Sequence, residues 1–223
     1  MGEHKTIRYS DTNYYLLRAK GGYLLIDAGW NGKMSVFLRK MYEAGIDPRE
    51  VNYIMVTHHH HDHAALVNEL RTIMGAKLIL HKKQVDLLKN GNTEIAKTKQ
   101  YNLSLKLLDR ALRLFIRISY SPIFTNDTDI VIGDDGREVL KEIGINGVIV
   151  DTPGHSADSI TLITDDGKAY CGDAAMNIFG VKPYPIEAED YIVVKESWAR
   201  IISSGAKILF PSHGKEFSVD ELR

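Results

Sequence analysis

Thr57-His58-His59-His60-His61-Asp62-His63-Ala64-Ala65-Leu66 places His58, His60, Asp62 and His63 within six positions. Imidazole nitrogens and carboxylate oxygens are the donors that a borderline-soft divalent ion such as zinc takes. Four of them exceed what one ion needs from one loop, so two ions are expected. In extended backbone, residues two apart point the same way. His58 and His60 can therefore converge on one ion, while Asp62 and His63, past a bend, face a second. A histidine run can also be a tag or a solvated tract. This one is interior, preceded by the strand-like Tyr53-Ile54-Met55-Val56-Thr57 and followed by a helix-like run, which argues for a built site.

Upstream, residues 5–27 read as a meander: Thr6-Ile7-Arg8-Tyr9, then Tyr14-Tyr15-Leu16-Leu17, a Gly21-Gly22 turn, and Tyr23-Leu24-Leu25-Ile26-Asp27. Asp27 ends the third strand. Such an Asp is ordinarily a turn former or helix cap, and its place before Ala28-Gly29 leaves a role in supporting a ligand open. A helix is expected over about 33–43, stopped by Gly45 and Pro48. Downstream, a helix is expected over about 64–74 with Leu66, Leu70 and Ile73 on one face, then a strand over 76–80. Strand, helix, strand is an α/β pattern. His81, at the strand end, reads as a satisfied polar residue rather than a ligand.

Residues 82–118 read as helical. Tyr101, Leu105, Leu108, Leu112 and Phe115 form one stripe, Leu103, Leu107, Ala111, Leu114 and Ile118 a second, and Lys106, Arg110, Arg113 and Arg117 a basic seam. Two adjacent apolar stripes must bury a wide face. A core-packed helix with a solvated edge satisfies this, as do a lid over the metal site, a homodimer contact or an interfacial helix. We expect a helical insertion that covers the metal edge.

From Asp129 strands return at 130–132, 148–151, 159–164 and 168–172, followed by a helix over about 190–203 and a last strand at 207–210. Three more donors stand at strand ends: His155 in Asp151-Thr152-Pro153-Gly154-His155, Asp173 after Cys171-Gly172, and His213 in Pro211-Ser212-His213-Gly214. Donors on strand-end loops are how rigid scaffolds present metal sites.

With 223 residues the chain suffices for one domain, 1–223, including an insertion. Its net charge of −1 argues neither for nucleic acid nor for an anionic membrane. The balance is local: nine Lys/Arg stand against three acids between His81 and Ile118, a net of +6, leaving −7 elsewhere. A basic cover of this kind would favour a small-molecule substrate carrying an anionic group. The single cysteine, Cys171, excludes an intramolecular disulfide and fits a reducing compartment. Charged residues near the start and the lack of a span-length apolar run point to a cytoplasmic protein.

The sequence resembles the metallo-β-lactamase superfamily. The resemblance rests on Asn13-Tyr14-Tyr15-Leu16, Leu25-Ile26-Asp27-Ala28-Gly29, Thr57 to His63, Thr152-Pro153-Gly154-His155, Gly172-Asp173 and Ser212-His213-Gly214. It implies an α/β fold, a four-layered αββα sandwich with metals at one edge. Carried over, one ion is held by His58, His60 and His155 and the other by Asp62, His63 and His213, with Asp173 bridging.

Departures narrow the branch. Asp173 stands where antibiotic-cleaving members of the best-known type carry Cys, so β-lactamase activity is disfavoured, and Cys171 reads as a buried strand residue. His60 replaces the Glu of the redox diiron flavoproteins. The ten residues after His213 leave no room for the substrate domain of hydroxyacylglutathione hydrolases, and Met176 stands where quorum-quenching lactonases have Tyr.

The resemblance thus implies a hydrolase with two zinc ions, iron or manganese being alternatives. Ions about 3.5–4 Å apart share a bridging water and lower its pKa toward roughly 7. Asp62 and Asp173 are the catalytic side chains of this expectation, and the bond cleaved is an ester, thioester, lactone or phosphodiester. No Gly-x-Ser-x-Gly elbow occurs, and Cys171 has no partnering base in sequence. An iron-dependent oxidase or oxygenase and a non-catalytic metal-binding sensor are the alternatives from other classes.

Overall fold

The apolar run at Tyr14–Leu17 is continuous rather than alternating, which is the pattern of a strand buried on both faces. A computed structural model, describing residues 4–93, 99–100, 119–133, 135–178 and 180–223, shows why. Strands β1 (His4–Tyr9), β2 (Thr12–Ala19) and β3 (Gly22–Ile26) form the expected antiparallel meander, with Leu16 opposite Leu25. Odd and even residues of β2 then enter different cores. Tyr15 and Leu17 join Leu24, Ile26 and Met55 between two sheets, whereas Tyr14 and Leu16 join Leu25 and Ile54 beneath helices. Each such side chain contributes roughly 1.5–3 kcal/mol by burial.

Helix α1 (Met34–Glu43) buries Phe37 and Met41, one turn apart, and carries the chain from β3 to the parallel strand β4 (Val51–Met55). Helices α2 (His61–Ala64) and α3 (Val67–Met74) then lead to β5 (Lys77–His81), also parallel. A 3-10 turn at Lys82–Gln84 and helix α4 (Val85–Asn90) follow. Strand β6 is Lys99–Gln100, and β7 (Ile130–Ile132) completes a six-stranded sheet of order β1-β2-β3-β4-β5-β7.

Helix α5 (Arg137–Glu142) opens the second half. It is followed by β8 (Gly147–Asp151), β9 (Ile160–Thr164), β10 (Lys168–Gly172), β11 (Glu187–Ala188), α6 (Tyr191–Ser203), β12 (Ile208–Pro211) and β13 (Phe217–Ser218). The second sheet has the order β13-β12-β10-β9-β8. Its inner face contributes Ile149, Ile160, Leu162, Tyr170 and Phe210 to the core between the sheets. Its outer face packs Ile163, Ala169, Cys171 and Leu209 against Val194, Trp198 and Ile201 of α6. Helix, sheet, sheet, helix is the αββα order expected. Among the described residues no helix is long and apolar enough to cross a membrane.

Three expectations need correction. The helix expected over 64–74 is two pieces, because the bend at Ala65–Leu66 is held from outside: Leu66 N–H donates to Ala28 O at 3.1 Å, and Ala28 N–H to His63 O at 2.6 Å. Met74 rather than Ile73 completes the buried stripe with Leu66 and Leu70, and Ile73 is 44% exposed.

The helix expected over 82–118 is not continuous. It stops at Gly91, which takes φ +63° and whose added Cβ would lie 2.5 Å from Tyr120 O. Lys99–Gln100 is a strand, paired antiparallel with Glu187–Ala188, a tertiary pairing that overrides local helical preference. The apolar stripes and basic seam, with Arg110 and Arg113, lie outside the described residues.

Finally, α5 and β13 were not anticipated. α5 is a six-residue helix with a single fully buried apolar residue, Leu140, too short for periodicity to reveal.

Candidate metal centre

Strand β4 ends at Met55, and a bend over residues 57–59 followed by the extended His60 brings His58 and His60 to one side, their ring centroids 4.5 Å apart. The turn of α2 then reverses the direction and carries Asp62 and His63. His155 comes from the loop after β8, Asp173 from the end of β10, and His213 from the loop after β12. All seven are buried. They form two groups, His58 with His60 and His155, and Asp62 with His63, Asp173 and His213; within each, one potential ligand atom per residue lies within 4.8 Å of the others.

His155 Nε2 is 3.2 Å from His58 Nε2 and 3.0 Å from His60 Nδ1. In the second group, Asp62 Oδ2 is 3.3 Å from His63 Nε2 and 3.2 Å from His213 Nε2. Asp173 Oδ2 joins the groups, lying 3.5 Å from His155 Nε2, 3.5 Å from His63 Nε2 and 3.5 Å from His213 Nε2.

Contacts behind the rings decide which nitrogen faces inward. A carbonyl only accepts, so His155 Nδ1 donates to Glu187 O at 2.8 Å and His213 Nδ1 to Asp11 O at 3.2 Å. His63 Nδ1 donates to Asp27 Oδ2 at 2.8 Å. Thr57 Oγ1 donates to the Asp27 carboxylate and so accepts from His58 Nδ1 at 3.2 Å. The Nε2 atoms of four rings are thereby left for the centre.

Asp27 thus supports a ligand, and is not merely a turn former. It adopts φ +66°, a region where Asp is among the few tolerated side chains. Its carboxylate accepts from Thr57 N–H at 2.7 Å and from Ser212 Oγ at 3.3 Å as well as from His63. Gly172 (φ +54°) lets Thr57 approach, since a Cβ there would meet Thr57 Oγ1 at 2.6 Å. Asn13 fixes the His213 loop: its N–H donates to Ser212 O at 2.7 Å and its Nδ2 to Gly214 O at 2.7 Å.

The electrostatics of the two groups differ. Burial, reinforced by the neighbouring imidazoles, holds His58 and His60 well below the ordinary histidine range. Burial also opposes the charged forms in the second group, but is overcome there. Asp62, Asp27 and Asp173 hold His63 well above its ordinary value, and Asp173 and Asp62 do the same for His213. The two imidazoles in turn hold Asp62 and Asp173 well below the carboxylate range.

A dication fits this arrangement. Facing nitrogen lone pairs 3.0–3.2 Å apart repel unless a cation or proton stands between them. His63 Nε2 and Asp173 Oδ1 are buried with no hydrogen-bond partner among the described residues. In the second group the charge of two imidazolium protons is what one divalent ion would replace. His58, His60 and His155 are an all-nitrogen set, the others a mixed nitrogen and oxygen set, both suited to zinc-like ions.

His81 belongs to neither group. Its Nδ1 lies 3.7 Å from Asp151 Oδ1 and makes no hydrogen bond among the described residues. Two further residues escaped notice. His59 and Asp158 form a buried pair beside the ligands. Their pairing spans 99 residues and has no local sequence signal.

The sequence profile of the metallo-beta-lactamase superfamily matches residues 8–213. A beta-lactamase-like protein 2 homolog of Drosophila melanogaster is 26% identical over 91% of the chain and 58% of its own length. A hydroxyacylglutathione hydrolase of Shewanella halifaxensis is 25% identical over 54% of the chain and 32% of its own length. The chain therefore spans about a third to three-fifths of these relatives. Among solved structures, an archaeal metallo-beta-lactamase superfamily protein from Sulfolobus tokodaii aligns with TM-score 0.65 and 22% identity, covering 100% of this chain and 84% of that one. A subclass B3 metallo-beta-lactamase of Bradyrhizobium japonicum aligns with TM-score 0.67 and 16% identity, covering 96% and 75%.

Proposed function

Because the chain belongs to the metallo-β-lactamase superfamily, we propose that it is a dinuclear zinc hydrolase acting on a small molecule, with an ester, thioester, lactone or phosphodiester as the bond cleaved. His58, His60 and His155 would hold one ion and Asp62, His63 and His213 the other, with Asp173 placed between the two groups. The observation that carries this reading is the position of Asp173 Oδ2, 3.5 Å from an inward nitrogen of each group. The hydrolytic direction is supported by the hydroxyacylglutathione hydrolase among the relatives, and the substrate class is left to four ester types.

Bound divalent ions supply Lewis acidity toward a carbonyl or phosphoryl oxygen and bring the pKa of water toward roughly 7. The chain's own part is orientation and charge. Asp27, Glu187 O, Asp11 O and Thr57 fix the ring tautomers from behind, and the low dielectric around seven buried donors strengthens every charge interaction inside. Asp62 and Asp173, held ionised by His63 and His213, are the side chains able to accept a hydrogen bond from a reacting water and orient it. Covalent catalysis through the lone thiol is excluded by its surroundings: Cys171 is 1% exposed, and burial first, then Asp173, pushes its pKa up to about 12.

The test is a hydrolysis screen of the zinc-loaded protein across the four bond classes. Turnover of at least one class, abolished by chelation and restored by zinc, is expected. No turnover of any class by protein of verified metal content would contradict the hydrolase reading.

A further inference from the structure

We infer that Asp158 is a positioning residue for the three-imidazole group, acting through His59. The inference deepens the metal reading above and rests on His58, His60 and His155 holding one ion.

His59 sits between two ligands in a bend of the backbone, its ring edge-on to that of His60 with centroids 4.8 Å apart and its Nδ1 turned to Asp158. It is 1% exposed. Asp158, 0% exposed, meets it with both oxygens: Oδ1 accepts from Nδ1 at 2.8 Å and Oδ2 accepts from the His59 N–H at 2.9 Å. On the other side, Tyr120 Oη donates to His59 O at 2.5 Å. Both backbone groups of residue 59 and its ring are therefore fixed. The φ and ψ of this residue set how His58 is disposed relative to His60, so fixing them fixes the bite of the pair.

The same carboxylate reaches the third imidazole's segment. Asp158 lies three residues after His155, in a loop closed by the Ser156 Oγ to Ser159 Oγ contact of 2.7 Å and by Thr152 N–H donating to Ser159 O at 2.9 Å. One side chain thus ties together the two loops that supply all three imidazoles of one group. The second group draws on Asp62, His63, Asp173 and His213, and the Asp158 carboxylate hydrogen-bonds to none of these. A charged group is retained in a fully buried position only when its hydrogen bonds compensate desolvation, and the two bonds to His59 do so.

The decisive readout is site-resolved metal affinity. Metal-free wild-type, Asp158→Ala and Asp158→Asn proteins are titrated with zinc against a competing chelator, with occupancy read from the imidazole nitrogen resonances of each histidine and the thermal midpoint recorded alongside. Asp158→Ala is expected to weaken zinc uptake at His58, His60 and His155 by about tenfold or more, while uptake at His63 and His213 changes little. Asp158→Asn keeps an oxygen for the His59 N–H and should lose less, at the same group. Equal weakening at both groups with a lowered midpoint would reduce Asp158 to a packing role and overturn the inference, as would unchanged affinity at both. If Asp158→Ala does not fold, Asp158→Asn decides by the same criterion: loss confined to the three-imidazole group supports the inference, and no loss or equal loss overturns it. Failure of the wild-type His58, His60 and His155 signals to respond to zinc overturns the metal reading itself, and is visible before any substitution is made.

Discussion

Asp27 Oδ2 lies 2.8 Å from His63 Nδ1, so the ring that turns Nε2 toward Asp62 and Asp173 is held from behind by a carboxylate at the end of β3. Carboxylate support of this kind fixes ring orientation and raises ligand basicity. Asp27→Asn should weaken metal uptake at the Asp62, His63 and His213 group by about ten- to a hundredfold and affect the three-imidazole group, which Asp27 reaches only through Thr57, less. A metal titration of the folded variant checks this. Uptake equal to wild type would mean that Asp27 acts only on the backbone of Thr57.

Metal removal should destabilise the fold. Seven buried donors converge from four loops, so an ion that binds only the native arrangement stabilises it by mass action. At a hundred times its Kd the gain is about 2.7 kcal/mol, which for a chain of this size moves the thermal midpoint by roughly 5–10 °C. Calorimetry with and without chelator is the measurement, and an unchanged midpoint would count against native-state binding.

Proton release should accompany loading of one group. His63 and His213 have raised folded-state values, so at pH 7, above the unperturbed histidine value and below theirs, both rings carry a proton that a metal must displace. His58 and His60 are depressed, hence already neutral at that pH. Zinc affinity at the Asp62, His63 and His213 group should therefore rise with pH through the neutral range, with about two protons released. His58 and His60, neutral throughout that range, release no proton on loading. Titration calorimetry at pH 7 in buffers of different ionisation enthalpy counts the protons, and a count of zero would refute the assignment of charge.

How much of this was legible in the sequence follows from the range of the interactions. His58, His60, Asp62 and His63 were readable because their spacing is itself the geometry of a strand running into a turn, and β2 was readable because burial on both faces leaves a continuous apolar run. The reach of Asp27 to Thr57, 30 residues away, and of Asn13 to Gly214, 201 residues away, is set by sheet order and has no local signature. The same holds for His59 and Asp158, 99 residues apart. Gly91 is a local stop signal inside the stretch read as helical, whereas the pairing of Lys99–Gln100 with Glu187–Ala188 has no local signature.

Cys171 should behave as an inert core residue. Packed among Ala169, Ala175 and Trp198 with its pKa pushed up to about 12, it is expected to resist thiol reagents in the folded protein and to react once denatured. Cys171→Ala should cost only about 1–2 kcal/mol of stability and leave metal content unchanged. Rapid native labelling, or loss of metal in the variant, would show that the thiol is part of the centre.

The central claim is that seven side chains build two ion sites joined by Asp173. Elemental analysis of zinc-reconstituted wild-type and Asp173→Ala proteins, each verified as folded, tests it most directly. The account predicts two zinc ions per wild-type chain, one for each donor group, and a lower content in the variant; one ion or none in the folded wild-type chain would contradict it.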